Sequence, residues 1–254
     1  MGAINIEYLR RERQRVRDAD RCQHASEDLC ILAAAIDEED DVAFRLALQG
    51  HQYNETNLEC LGYALQAASL KNHHPIVELL LTHRADINFV GGTYETALQA
   101  AIIGGHVQMV ERLLQCGAMV NHETPIFCTP LQSATAFGQR RIAHTLLKYG
   151  ANANQLAGSY HTALQIASIE GQSAITEDLL EHGADVSIQG GFYGNALRAA
   201  VLVGHIPLPE GFVFDRDHVK QLPDHCRALA HANIEPPSPH LQICVMLLRA
   251  LQNA

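Results

Sequence analysis

Tryptophan is absent from this 254-residue chain, and Phe and Tyr contribute only seven residues each. Sandwiches and barrels lean on aromatic and β-branched side chains, so the shortage favours a helical protein built from Ala and Leu. No apolar run approaches the length of a membrane span. The opening MGAINIEYLR lacks the apolar stretch of a secretory signal. It also lacks the myristoylation pattern, because Ile6 stands where Ser or Thr is wanted. Positive charge is scarce, with 18 Lys and Arg against 28 Asp and Glu and a net charge of −10. That balance argues against a broad electrostatic grip on nucleic acid or an anionic membrane. The seven cysteines are scattered and form no CxxC pair. Reduced thiols in a cytoplasmic or otherwise intracellular setting are therefore expected. Catalytic signatures are missing too. The chain has no G-x-x-x-x-G-K phosphate loop, no G-x-S-x-G elbow and no H-E-x-x-H helix.

What is present is self-similarity. Leu65, Leu98, Leu131, Leu164 and Leu197 recur every 33 residues, as do Leu80, Leu113, Leu146 and Leu179. Gly117, Gly150 and Gly183 keep the same spacing, each before Ala. Each unit reads as two short helices and a turn. TALQAAIIGGH (96–106) carries Ala and Leu on one face and stops at glycine. VQMVERLLQCGA (107–118) sets Met109, Val110, Leu113 and Leu114 in one apolar stripe. MVNHETPIFC (119–128) then has turn chemistry and projects as a finger. Neither helix can bury its face alone, so the units must stack.

The period and the T-A-L-Q-A-A version of the T-P-L-H-x-A motif resemble the ankyrin repeat. The resemblance covers roughly residues 29–205 and 240–254. The preceding GGTYE (91–95), AGSYH (157–161) and GGFYG (190–194) are similar to ankyrin arrays common in filamentous fungi. The expected fold is an all-α solenoid of about six helix-turn-helix units with β-hairpin fingers. Residues 1–28 read as an N-terminal helical arm, its Arg-rich 8–21 stretch a solvated helix packed on the first repeat. Residues 29–61 read as a degenerate capping unit, with Phe44 and Leu48 as its second-helix stripe. Regular repeats occupy 62–205.

At Gly204 the pattern breaks into IPLPEGF. It resumes at HLQICVMLLRAL (240–251), which lines up with HVQMVERLLQCG (106–117). The last unit is therefore split by an insertion over 206–239, and its second helix lies in 240–254. An insertion this long inside a repeat array is read as a lid or a cap folded back on the array.

The ankyrin resemblance implies a concave contact face built from finger tips and exposed first-helix positions. Carried over by position, the binding candidates are Leu70, Lys71, Glu95, Ile103, Ile126, Phe137, His161, Ile169, Glu170, Phe192 and Leu202. Arg198 joins them as the residue that breaks the glutamine ladder Gln66, Gln99, Gln132, Gln165. That ladder is expected to bridge successive turns. The aromatic ladder Tyr94, Phe127, Tyr160, Tyr193 is expected to brace neighbouring fingers. His73, His106 and His205 occupy the family's Gly-His position and are read as structural. His218, His225 and His231 cluster in the insertion at spacings of seven and six that match no metal motif, and no metal and no cofactor are expected.

The expected function is non-catalytic recognition of a protein segment through an apolar concave groove, with neither nucleic acid nor membrane as partner. The alternative is an apolar small-molecule binder, or a cofactor-free enzyme that isomerises or cyclises such a molecule beneath the insertion. Its acid–base groups would be Glu95, His161, Glu170, Asp215, Asp217 and His218. Ankyrin arrays are overwhelmingly binding scaffolds, which weighs against catalysis.

Overall fold

The computed structural model describes residues 44, 48, 58–159, 161–204 and 238–253. The N-terminal arm, most of 29–57, Tyr160, His205 and the insertion up to residue 237 lie outside the described residues, and with them Asp215, Asp217 and His218. The described residues form ten bounded helices: α1 Leu58–Leu70, α2 His74–Thr82, α3 Ala97–Gly104, α4 Val107–Gln115, α5 Pro130–Ala136, α6 Arg140–Lys148, α7 Ala163–Ile169, α8 Ser173–Glu181, α9 Ala196–Val203 and α10 Pro239–Asn253. They pair as α1–α2, α3–α4, α5–α6, α7–α8 and α9–α10. First helices stack on first helices, and the second helices α4, α6, α8 and α10 stack in turn. Phe44 and Leu48 are helical and buried, and they join the same core.

The motif residues explain why each first helix starts where it does. Thr96, Thr129 and Thr162 sit in extended backbone, and their hydroxyls accept the amide hydrogens of Gln99, Gln132 and Gln165. Asn195 caps α9 in the same way through Arg198 N–H. Such N-caps contribute about 1 kcal/mol each by satisfying an otherwise orphaned donor. Gly105 and Gly117 end α3 and α4 in the left-handed region, at φ 80° and 95°. Arg84 takes that backbone conformation at φ 64°, one repeat before Gly117.

The core runs the length of the stack. Met109, Val110 and Leu113 are completely buried, as are Ile76, Leu80 and Leu146. A fully buried side chain of this size contributes about 1.5–3 kcal/mol of transfer free energy. In α10, Ile243, Cys244, Leu247 and Leu248 are buried against α8 and α9, in the register that the alignment with 106–117 requires. The split unit is thus closed by α10.

The fingers are smaller than two-stranded hairpins. Each is a five-residue turn closed by one antiparallel bridge: Gly91 with Glu95, Thr124 with Cys128, Ala157 with His161, and Gly190 with Gly194. The closing residue is left-handed every time, with φ 61°, 57°, 61° and 84°. That conformation ends the pairing after a single bridge.

Candidate functional site

Polar ladders lock the repeats in register. Gln66 Nε2 donates to the carbonyls of Gly91 and Glu95, Gln99 to Cys128, Gln132 to Ala157 and His161, and Gln165 to Gly190. The expected bridging role of the glutamines is what the structure shows. A second ladder was not foreseen. Asn88, Asn121 and Asn154 donate through Nδ2 to the carbonyls of Gly117, Gly150 and Gly183. Their Oδ1 atoms accept from the amides of Met119, Asn152 and Asp185. The signal lay in the sequence, since the three asparagines keep the 33-residue period. At the next place Ser187 bonds only to Asp185 and Gln189 of its own turn among the described residues, so the ladder is not continued there.

Among the described residues, ion pairs tie the second helices at two places. Arg112 in α4 bonds both carboxylate oxygens of Glu78 in α2 through Nε and Nη2, with Nη2 at 2.8 Å. Arg140 in α6 holds Asp178 in α8 through Nε and Nη2, both at 2.9 Å. The guanidinium hydrogen bonds hold both carboxyls below their ordinary range, outweighing the opposing effect of burial. A shallow dent of about 450 Å³ lies beside the first pair, floored by Leu81, Ala85 and Ile87.

The opposite side, formed by first helices and fingers, carries a separate apolar cluster. Leu70, Ala100, Ile103, Phe127, Ala136 and Ile166 are its buried members. Tyr94, Ile126, Phe137 and Ile169 pack half-buried around them. The cluster spans four units and takes no residue from a second helix among the described residues. This corrects one expectation. Leu70 and Ile103 were read as exposed contact positions, yet Leu70 is only 8% and Ile103 0% accessible. Alanines on the neighbouring first helices leave the gap that these larger side chains and Phe127 fill.

Of the remaining apolar candidates, Phe192 is the most exposed at 80%, with Leu202 at 43%. Lys71 and Arg198 are exposed, while Ile126, Phe137, His161, Ile169 and Glu170 are half-buried. In the aromatic ladder Phe127 is buried and Tyr94 and Tyr193 half-buried, and Tyr193 meets Phe192 edge-on at 5.0 Å.

Two of the proposed acid–base residues serve the fingers. Glu95 is buried, and its carboxylate accepts the amide hydrogens of Ile126 and Phe127 at 3.1–3.3 Å. The His161 ring lies against Gly190, where an added Cβ would come within 2.2 Å of Cδ2. Glu95 and His161 occupy equivalent places two units apart. Packed helices stand 8–10 Å from each other, so roughly 16–20 Å separates these residues and they do not converge on one reacting atom. The described residues contain no group of three His, Cys, Asp or Glu arranged to hold a metal ion. Cys128 at the same finger position is a buried thiol, pushed up to about 11 by desolvation and by the carboxylates of Glu123 and Glu95, so it is a poor nucleophile at neutral pH.

The histidine of the Gly-His position also has a defined task. His106 Nε2 lies 2.7 Å from the Leu70 carbonyl oxygen, at the end of the previous first helix. In the split unit His240 does this, with Nε2 at 3.0 Å from the Ile169 carbonyl oxygen. His205, to which the sequence assigned that structural position, lies outside the described residues.

Stacked helix pairs, bridged fingers and amide ladders at a fixed period define a repeat scaffold. Residues 30–124 and 65–157 match a model of ankyrin repeats in three copies, and residues 159–191 match the single ankyrin repeat. The chain belongs to the ankyrin-repeat family. No curated protein matches it. Ankyrin repeats commonly act as scaffolds for binding other proteins. No helix among the described residues is long and apolar enough to cross a membrane.

Proposed function

We propose that this protein is a non-catalytic intracellular scaffold that holds a protein segment against its first-helix and finger face. The observation that carries the reading is the continuous apolar cluster along that face. Leu70 and Ile103 form its floor rather than its contact surface. Contact falls to Ile126, Phe137, Ile169, Phe192 and Leu202, with Lys71, His161, Glu170 and Arg198 as a polar rim. Half-exposed apolar side chains over a packed floor suit an apolar anchor from a partner, because a rigid floor loses little entropy on binding.

Selection of displayed random peptides on the wild-type protein and on Phe137→Ser/Ile169→Ser tests this. Enriched peptides should carry apolar anchors and bind the double variant at least about tenfold more weakly, a loss of about 1.4 kcal/mol. Peptides indifferent to those substitutions, with the fold intact by circular dichroism, would place the binding face elsewhere.

A further inference from the structure

The last unit is completed by a helix that arrives from far along the chain. In earlier units the second helix starts within a few residues of the first: α3 ends at Gly104 and α4 begins at Val107, and α7 ends at Ile169 and α8 begins at Ser173. Gly105, Gly138 and Gly171 make those turns with φ 80°, 67° and 67°. Gly204 holds the same place with φ −73°, so the tight turn is not made, and α10 begins only at Pro239. Docking is nevertheless complete. Ile243, Cys244 and Leu247 are 0% exposed, Leu248 2% and Leu241 4%, and His240 makes the inter-repeat bond to Ile169. The end surface of α7, α8 and α9 therefore recognises α10 by its own side chains, without help from a tight connection.

We propose that this end surface is a helix-accepting site, and that α10 of a second copy of the chain can occupy it, giving a reciprocal helix-exchanged dimer. This face is distinct from the first-helix and finger face proposed above. Exchange preserves every contact seen in the closed chain, which is what makes helix swapping a low-cost route to dimers. A connection of roughly thirty residues can span on the order of 100 Å when extended, so the next copy is within reach. The described contacts of α10 with α7, α8 and α9 include no ion pair, unlike α2–α4 and α6–α8. The docking itself should therefore be little affected by salt. The net charge of −10 per chain opposes association, so added salt should raise the dimer fraction.

The test uses the full-length wild-type protein in size-exclusion chromatography with light scattering, over a range of concentrations up to the millimolar. Samples are run alone, with excess synthetic peptide of residues 238–253, and with that peptide carrying Leu247→Asp. The expected result is a dimer that grows with concentration and with salt. The wild-type peptide should reduce it at least tenfold, and the Leu247→Asp peptide should not. A protein that stays monomeric throughout overturns the proposal. So does a dimer that ignores the wild-type peptide, or that both peptides dissolve equally.

Discussion

His240 stands 3.0 Å from the Ile169 carbonyl oxygen, just as His106 stands 2.7 Å from that of Leu70. The two acceptors occupy the same place in their units, three repeats apart. His106 caps α4 and His240 is the second residue of α10, and the insertion separates His240 from its own first helix. The repeat geometry has been rebuilt across the insertion down to a single hydrogen bond. Both bonds are part-buried, and removing either imidazole leaves a helix-end carbonyl short of a donor. His240→Ala and His106→Ala should each lower stability by about 1–2 kcal/mol. Urea unfolding checks this, and a His240→Ala midpoint equal to wild type would mean the bond is dispensable.

Asp178 ties α8 to Arg140 of α6 while remaining almost buried, its side chain only 8% exposed. Its folded-state pKa is depressed, chiefly by the Arg140 hydrogen bond. A depressed carboxyl contributes stability above its unfolded value of about 3.9, and that contribution is lost as pH falls through the folded value. Asp178→Asn should cost about 1–2 kcal/mol at pH 7, discounted because Arg140 is half-exposed. The difference should shrink below about pH 4 and vanish in stronger acid. Denaturation curves from pH 7 to pH 2 give the answer, and a gap that is constant with pH would exclude the charge as its source.

Glu95 is in the left-handed region at φ 61° while its carboxylate holds the next finger. Two effects therefore oppose each other at one residue. Glu95→Ala loses the acceptor and keeps the strain, and should cost about 1–3 kcal/mol. Glu95→Gly loses the same acceptor but relieves roughly 1 kcal/mol of backbone strain, so it should be the milder change. The order of the two midpoints is the measurement.

Arg84 adopts φ 64° where later units place glycine, and its side chain is exposed. Arg84→Gly should stabilise by up to about 1 kcal/mol, less the entropy glycine adds to the unfolded chain. The reverse change, Gly150→Arg, should destabilise by a similar amount. Thermal melts of the pair decide it; a loss on Arg84→Gly would mean the arginine makes a contact that outweighs its strain.

Much of this was legible because a repeat writes the same instruction several times. Five leucines at one spacing and the matching 240–251 segment were enough to place both helices of the split unit, and the glutamine ladder could be assigned its bridging task. Leu70 and Ile103 were misjudged for a physical reason. Their positions mark the face they point to, but how far neighbouring first helices close over them depends on the alanines across the gap and on Phe127 from a finger. Glu95 was misjudged similarly: a carboxylate near a groove suggests proton chemistry until the amides of Ile126 and Phe127 are seen to take it.

By itself, then, the sequence determined the period, the helix pairs, their caps and the identity of the buried stripe, because these depend on neighbours within one or two turns of helix. Tertiary structure decided which apolar residues form floor and which remain in contact with solvent, which acid serves a finger, and that His240 makes the bond at the split unit. The contacts of Glu95 and His240 join groups 31 to 71 residues apart in the chain, brought together only when the units stack.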